Sequence, residues 1–326
     1  MATRFELALH GANPVSLRAA GEEALEEISR LDRQLNLYNP ASELAQLNAH
    51  AAREPVRVSP ELFRLLEQAR QLQTETDGAF DITVAPLLRC WGFMGGKGRL
   101  PSASDLAKAR ACTGMGLVQL EPQTRMVRFA RAGVMLDLGA IGKGYAIEQA
   151  AELLREAGVT SALLHGGTST VCAIGHPPDA SAWKVAIEYP AEEKTAEGFS
   201  RTRLQPPTQS TAPSLLVALV SLKDEALSVS AVWGKSFRAK GKTYGHVLDP
   251  RTGRPASRAS LAAVILPSAT ETDAFSTALL TVGVRSHDKI ARLRPSMRTL
   301  VMARRGRGNS FHWRSNGIDV RKEILS

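Results

Sequence analysis

Residues 126–158 decide the fold; they read MVRFARAGVMLDLGAIGKGYAIEQAAELLREAG, and three local patterns follow one another in them. The apolar residues at the start predict a strand or hairpin. The glycines of DLGAIGKG predict a loop. Apolar residues at helical spacing then predict a helix from about Lys143 to Ala157 that ends at Gly158. The stretch therefore favours a protein that mixes helices and strands.

The sequence upstream of this stretch is mainly helical. Residues 16–48 predict a long helix that is interrupted before a short helix capped by Ser42. A further helix is expected over residues 60–74, with Ser59 as its N-cap. Residues 75–98 are rich in glycine and aspartate and predict loops around one short element. The residues expected on the buried helix faces are Leu17, Ala20, Ala24, Leu25, Ile28, Leu31, Leu62, Leu65, Leu66 and Ala69.

Downstream, strands and helices alternate. SALLHGG (161–167) and SLAAVILP (260–267) predict buried strands, and residues 269–283 predict a helix with Phe275, Leu279 and Leu280 inward. Residues 190–214 are rich in Glu, Thr, Ser, Gln and Pro and predict an exposed, flexible insertion. The pattern as a whole predicts the α+β (mixed α/β) class.

Composition narrows the function classes. The 326 residues carry a formal charge of +9, with 44% hydrophobic and 22% charged residues, which is typical of a packed globular protein. No apolar run is long enough to span a membrane, and the N-terminus MATRFELALHGANP lacks the pattern of a signal peptide. Three separated cysteines argue against a disulfide framework or a zinc site. We therefore expect a cytoplasmic protein without an integral membrane segment.

The positive charge is a weak indication of an anionic ligand. Basic residues are spread along the sequence apart from ARRGRG (303–308), and only 5% of the residues are aromatic. A sheet on which nucleic-acid bases stack is therefore not indicated, and we expect no nucleic-acid partner.

Two motifs contain groups that bind anions or cations. DLGAIGKG (137–144) lacks the spacing of a Walker A motif, but glycines at a helix start and Lys143 suit a phosphate; an ordinary helix start is the alternative. Asp273 and Thr277 share a helix face and suit a hard cation such as Mg²⁺. The alternative for that pair is a stabilised helix terminus and a half-buried surface position.

Two loops contain groups suited to catalysis or ligand binding. GHVLDPRTGRP brings His246, Asp249 and Arg251 together, and histidine is the usual general base near neutral pH; a structural turn is the alternative. TDGAFDITVAP places Asp77 and Asp81 around a tight turn, which is either only a turn or a close-fitting ligand loop.

The occurrence of all these motifs in one order is a more specific indication of a protein family than any single motif. The segments that carry these motifs extend over residues 30–283. They are LYNPASELAQLN, TDGAFDITVAPLLRCWGF, LDLGAIGKGYAIEQAAELLREAG, HGGTS, HVLDPRTGRP and TDAFSTALLTVG. With these segments the sequence resembles the FAD:protein FMN transferases, the ApbE family. The resemblance implies an ApbE-like fold of mixed sheets flanked by helices. It also implies one domain over residues 1–326, with the active site in a cleft between two intertwined lobes.

The resemblance implies Mg²⁺-dependent transfer of FMN from FAD to a Ser or Thr hydroxyl of an acceptor flavoprotein, with release of AMP. It implies His246 as the general base. The FAD-binding residues that it implies are Met1, Tyr38, Ala79, Phe80, Asp81, Asp137, Lys143 and Val247. The metal-site positions that it implies are Ala140, through its backbone carbonyl, and Asp273, Ser276 and Thr277.

Two positions and one segment depart from the family pattern. Thr168 follows Gly166 and Gly167 where the family has aspartate, Ser276 occupies the position of a second aspartate, and VSAVWGKSF (229–237) replaces a Thr-Ser-Gly segment with its Tyr/Arg pair. A non-catalytic FAD-binding protein and an FAD pyrophosphatase that releases FMN and AMP therefore remain alternatives. The acceptors that the resemblance implies are redox-complex subunits or flavin-carrier domains.

Overall fold

The computed structural model describes residues 3–190, 214–305 and 310–321. Met1 and residues 191–213, which make up most of the predicted insertion, lie outside the described residues. The helices are α1 (Pro14–Leu35), α2 (Glu43–His50), α3 (Pro60–Glu75), α4 (Ala85–Cys90), α5 (Ala103–Ala111), α6 (Gly142–Glu156), α7 (Ala269–Val282) and α8 (His287–Ala291). Among the described residues, none of these helices combines the length and hydropathy needed to cross a bilayer.

Strands make up most of the remaining regular structure. They are β1 (Phe5–His10), β2 (Val56–Arg57), β3 (Val118–Glu121), β4 (Met126–Phe129), β5 (Ser161–Gly166), β6 (Thr170–Ile174), β7 (Trp183–Pro190), β8 (Ser214–Leu222), β9 (Ala226–Ala231), β10 (Ser236–Ala239), β11 (Lys242–Gly245), β12 (Leu248–Asp249), β13 (Arg254–Pro255), β14 (Leu261–Leu266), β15 (Arg298–Arg304) and β16 (Phe311–Asn316).

A seven-stranded antiparallel sheet organises the molecule, in the order β1-β5-β6-β9-β14-β15-β16. Every residue of β14 is buried, which is why LAAVIL is a continuous apolar run rather than an alternating one. Ala262 and Val264 lie in a core with the helices, whereas Leu261 and Ala263 lie in a second core with β7 and β8. The sheet is thus covered on both faces, and the α+β prediction is confirmed.

The helix predictions are confirmed with small shifts at the ends. The hydroxyls of Ser42 and Ser59 accept hydrogen bonds at the starts of α2 and α3, as expected for N-caps. Phe275, Leu279 and Leu280 are fully buried on α7. Leu25 was predicted to be buried and is 37% exposed. It lies one residue, or about 100°, from Ala24 on α1, beyond the edge of the buried face.

A small hairpin that the sequence analysis did not identify borders the functional site. Strands β10 and β11 are joined by Lys240 and Gly241, both with positive φ (47° and 74°), which is the backbone of a type I′ turn. Phe237 and Tyr244 pair across the strands and pack against Trp91, which follows α4. The hairpin ends at Gly245, so it directly positions His246.

Candidate active site

The start of α6 and the first half of α7 meet at the carboxylate of Asp273. Gly144 donates its backbone N–H to Asp273 Oδ2 at 3.1 Å, and Lys143 Nζ lies 3.4 Å from both carboxylate oxygens. Asp273 is 4% exposed. A negative charge at the N-terminus of a helix is stabilised by the helix dipole, and α6 has no side-chain cap of its own. The glycine-rich motif and the Asp273 motif therefore form one site.

The absence of a side chain at Gly144 permits this approach. A Cβ atom there would collide with the carbonyl oxygen of Ala269 and lie 2.8 Å from Asp273 Cβ. Glu148, one turn further along α6, accepts hydrogen bonds from the Ser268 hydroxyl (2.8 Å) and the Thr270 N–H (2.7 Å) at the start of α7. These contacts fix where α7 places Asp273 relative to Lys143.

Gly144→Ala is expected to destabilise the fold by about 1–3 kcal/mol, because the added methyl group forces α6 and α7 apart. It should also lower the flavin transfer that the resemblance implies, since Asp273 and Lys143 move with their helices. Gly142→Ala is the matched control, because its Cβ would make only an ordinary 3.6 Å contact with Leu138. Urea unfolding and transfer rates should separate the two variants, and equal effects would contradict the packing argument.

Three hydroxyl groups lie beside Asp273. Ser276 Oγ donates to the carbonyl oxygen of Asp273 (2.9 Å) and lies 2.8 Å from Ser230 Oγ, which is 3.2 Å from Thr277 Oγ1. Since a hydroxyl has one proton, Ser230 donates to Ser276, and Thr277 donates to Ser230. The lone pairs of Thr277 Oγ1 remain available to a cation. Ser276 is directed at its own helix, and its role at the metal site stays a prediction.

These donors fit the magnesium ion that the resemblance implies. Carboxylate, hydroxyl and backbone carbonyl oxygens are hard ligands of the kind Mg²⁺ prefers, and the ion commonly uses one or two carboxylates together with phosphates and water. Ala140 lies in the turn before α6, next to Gly139, whose carbonyl accepts from Lys143 Nζ at 3.4 Å. Within the described ranges no three His, Cys, Asp or Glu side chains converge on a metal position. Phosphate and water oxygens would therefore complete the coordination.

Thr277→Val is expected to weaken magnesium binding and to lower the transfer rate, and both effects should be smaller than those of losing Asp273. The reason is that a neutral hydroxyl binds Mg²⁺ less strongly than a carboxylate does. Thr277→Ser keeps the hydroxyl and should behave nearly like the parent. Magnesium titration by calorimetry, together with transfer rates at limiting Mg²⁺, tests this order. A Val variant that needs no more Mg²⁺ than the parent would remove Thr277 from the metal site.

His246 lies at the base of the β10–β11 hairpin with one ring nitrogen engaged. Its Nδ1 is 3.2 Å from the carbonyl oxygen of Lys235, and its backbone N–H donates to the same oxygen at 3.0 Å. A carbonyl only accepts, so Nδ1 carries the proton and Nε2 has the free lone pair in the neutral ring. Burial lowers the pKa of His246 and is the largest effect, the hydrogen bond to the Lys235 carbonyl raises it, and the positive charges of Lys235 and Lys143 lower it. The ring is therefore a neutral proton acceptor at neutral pH.

Asp249, three residues further on, has a structural contact. Its carboxylate forms a two-point ion pair with Arg251, Nε to Oδ1 at 2.8 Å and Nη2 to Oδ2 at 2.9 Å. It also accepts the Arg251 backbone N–H. Trp91 Nε1 donates to the carbonyl of Gly253 at 2.7 Å and fixes the other end of this loop. Within this motif, His246 is thus the residue available as a base.

Asp137 joins the separate segments of the site. Its Oδ1 accepts from the Gly139 N–H at 2.6 Å, and its own N–H donates to the carbonyl of Ile82 at 2.7 Å. Burial raises the pKa of Asp137, whereas the Gly139 hydrogen bond and the charges of Lys235 and Lys143 lower it. Tyr38 is 61% exposed, and its pKa is raised by burial of part of the side chain and by the charge of Asp137. The glycine loop, through Gly139, and the residue before the hairpin, Lys235, therefore both stabilise the charged form of the Asp137 carboxylate.

The other residues assigned to FAD are less directly available. Ala79 and Phe80 are both 1% exposed, so their side chains belong to the core. Asp81 accepts from the N–H and hydroxyl of Thr83 (2.8 and 2.5 Å) and borders a cavity of about 480 Å³. Val247 is half-buried beside His246. FAD contacts by these residues, and by Met1 outside the described residues, stay predictions.

Ser230 and Lys235 are site residues to which the sequence analysis gave no role. Ser230 could be found only from the fold, since it is 47 residues from Thr277. Lys235 had a sequence signal: Lys240-Gly241 is a two-residue hairpin turn, and counting outwards from it pairs Lys235 with His246. Thr168, at the first departure from the family pattern, is exposed in the turn between β5 and β6.

Comparisons with known proteins identify relatives of this chain. The FAD:protein FMN transferase of Klebsiella pneumoniae is 26% identical over 297 residues, which are 90% of this chain and 79% of that protein. The crystal structure of Pseudomonas stutzeri flavinyl transferase ApbE, apo form, superposes with a TM-score of 0.78 and 29% identity over 96% of this chain and 91% of that one. The structure of the flavin transferase ApbE from Vibrio cholerae superposes with a TM-score of 0.77 and 25% identity. The match covers 97% of this chain and 94% of that one.

The motif order and the large antiparallel sheet agree with a match that extends over nearly the whole sequence. The sequence model of the ApbE family matches residues 1–301. This chain belongs to the ApbE family.

Proposed function

We propose that the protein is an FAD:protein FMN transferase that uses Mg²⁺ and a protein acceptor. The acceptor Ser or Thr oxygen attacks the phosphorus of the FMN half of FAD and forms a phosphoester bond. The pyrophosphate P–O bond to the AMP half breaks, AMP leaves, and the hydroxyl proton passes to His246 Nε2. No oxidation or reduction takes place, and the flavin is transferred intact.

The observation that carries the proposal is the arrangement around Lys143. Its ammonium group lies 3.4 Å from the buried Asp273 carboxylate, and its charge lowers the pKa of both Asp137 and His246. A cation, a buried carboxylate with hydroxyl groups and a neutral base thus lie close enough together for their charges to interact. Attack on a pyrophosphate requires charge neutralisation and correct placement more than covalent help from the protein.

Each residue then has a separate role. Lys143 neutralises phosphate oxygens, His246 accepts the acceptor proton, and Asp137 holds the glycine loop in place through Gly139. Asp273, Thr277 and the carbonyl of Ala140 would hold the Mg²⁺. When bound, that ion supplies charge compensation to the phosphates and to the leaving AMP.

The test combines the protein, FAD, Mg²⁺ and an acceptor protein that carries an Asp-x-x-Ser/Thr-Gly-Ala-Thr segment. Fluorescence of the acceptor band in a denaturing gel and release of an equal amount of AMP are the expected results. The matched control is the same acceptor with alanine in place of its Ser or Thr, which should remain dark. FMN and AMP without a fluorescent band would instead identify an FAD pyrophosphatase. Bound but unchanged FAD would identify a flavin-binding protein.

The acceptor under this proposal is a flavoprotein, either a redox-complex subunit or a flavin-carrier domain. The protein would modify it in the cytoplasm. Fractionation of cells with an antibody against the chain, and mass spectrometry of FMN-modified peptides in a deletion strain, test both statements.

A further inference from the structure

Two segments of the chain contain cationic residues and no acidic residue. Residues 82–104 contain Arg89, Lys97 and Arg99. Residues 226–248 contain Lys235, Arg238, Lys240 and Lys242. Seven of the 41 Lys and Arg residues of the chain thus lie in these two segments.

The fold packs the two segments together. Phe237 of the hairpin lies with its ring centroid 6.3 Å from that of Trp91 and 5.6 Å from that of Phe93, and Tyr244 lies 5.5 Å from Trp91. Gly98 lies so close to Phe237 that no side chain fits between them. Charges that are 130 residues or more apart in sequence are therefore brought to one region of the molecule, and we call the exposed part of this region the basic surface.

The seven cationic side chains of the basic surface are all exposed. In the ranges that the structure describes, none of them lies within ion-pair distance of an acidic group. Like charges that are close together and form no ion pairs repel one another and produce a positive potential that attracts anions. The basic surface therefore favours the binding of an anionic partner.

The basic surface begins at the proton acceptor of the proposed reaction. The backbone carbonyl of Lys235 accepts from both the N–H and the ring of His246. An acceptor protein that brings its hydroxyl to His246 Nε2 must place the neighbouring part of its chain near this hairpin. The aromatic rings of the surface are turned into its core, with Trp91 only 5% exposed, so they form no platform for stacked bases.

We propose that the basic surface docks an acidic segment of the acceptor protein beside His246. This inference rests on the proposed function and adds the chemistry of the partner. Electrostatic complementarity of this kind mainly raises the rate of association and selects among partners.

The experiment uses two labelled peptides with the same Asp-x-x-Ser-Gly-Ala-Thr segment, flanked by glutamates in one and by glutamines in the other. Binding is measured by fluorescence anisotropy at low salt and at ~0.15 M salt, where charges are screened beyond about 8 Å. The full-length protein is compared with the charge-reversed variant Arg238→Glu/Lys242→Glu and with the milder Arg238→Gln/Lys242→Gln. The matched control is Lys184→Glu/Lys223→Glu, which reverses two exposed charges on β7 and after β8.

We expect the acidic peptide to bind at least about tenfold more tightly than the neutral one at low salt, and this preference to shrink with salt. Charge reversal should abolish the preference, the Gln variant should reduce it, and the control variant should keep it. Thermal melting confirms that all variants fold. Equal binding of the two peptides, or equal losses in the control, would overturn the inference. Preferential binding of single-stranded DNA over the acidic peptide would overturn it in favour of a nucleic-acid site.

Transfer is measured separately with the same peptides and with the acceptor protein. Docking that is lost while flavin is still transferred would disprove the basic-surface inference and leave the proposed function standing. Docking that is retained without any transfer to peptide or protein would disprove the proposed function alone. The KM for FAD should be unchanged by charge reversal, since the charges are assigned to the acceptor and not to the cofactor.

Discussion

Asp273→Asn is expected to abolish flavin transfer while the protein stays folded. The amide oxygen still accepts the Gly144 N–H, which lies 3.1 Å from Oδ2 in the parent. What is lost is the negative charge that a magnesium ion requires and that Lys143 faces at 3.4 Å. FAD binding should weaken but persist, because the other assigned FAD contacts remain. Transfer rates, calorimetric titration with Mg²⁺ and equilibrium dialysis with FAD measure the three effects.

Asp273→Ala separates the charge from the hydrogen bond. It also removes the acceptor of the buried Gly144 N–H, which costs about 1–3 kcal/mol of stability. The Ala variant should therefore melt at a lower temperature than the Asn variant, and both should be inactive. An Asn variant that transfers FMN at limiting Mg²⁺ as fast as the parent would refute the metal assignment.

His246→Ala is expected to lower transfer by about 10²–10⁴-fold with FAD affinity nearly unchanged, which is the contribution typical of a general base. His246→Asn is the sharper variant, because its amide N–H can still donate to the carbonyl of Lys235 while no proton acceptor remains at the position of Nε2. Both variants should lose activity alike. Loss of FAD binding or stability in parallel with the rate would indicate that His246 only braces the loop before Asp249.

The pH profile of the parent follows from the same residue. Protonated His246 cannot accept a proton, so transfer should fall below its pKa. Burial and the charges of Lys235 and Lys143 lower this pKa, and the acid limb should therefore lie below the ordinary value of about 6.5. Lys235→Gln removes a positive charge and should move the limb to higher pH. An unchanged limb in the His246→Asn variant would exclude His246 as its source.

Local signals were enough to predict most of the helices and the buried inner strand β14. Ser42 and Ser59 have cap hydroxyls, Gly158 and Gly283 end α6 and α7, and the buried β14 is a run of apolar residues. Such features act within a few residues of the chain, so the sequence shows them directly. The type I′ turn at Lys240-Gly241 is equally local, but its lysine is not one of the usual first residues (Asn, Asp or Gly), so the turn is inconspicuous in the sequence.

The sequence by itself determined the residue types of the site and their order, and these were sufficient to indicate the ApbE family. Only the tertiary structure decided which of them meet. Lys143 contacts Asp273 across 130 residues, and Ser230 orders the Thr277 hydroxyl across 47. The exposed cations on the β10–β11 hairpin and after α4 share a surface only because Trp91 packs against Phe237. Contacts of this kind depend on burying apolar surface between distant segments, a global free-energy balance that no local pattern records.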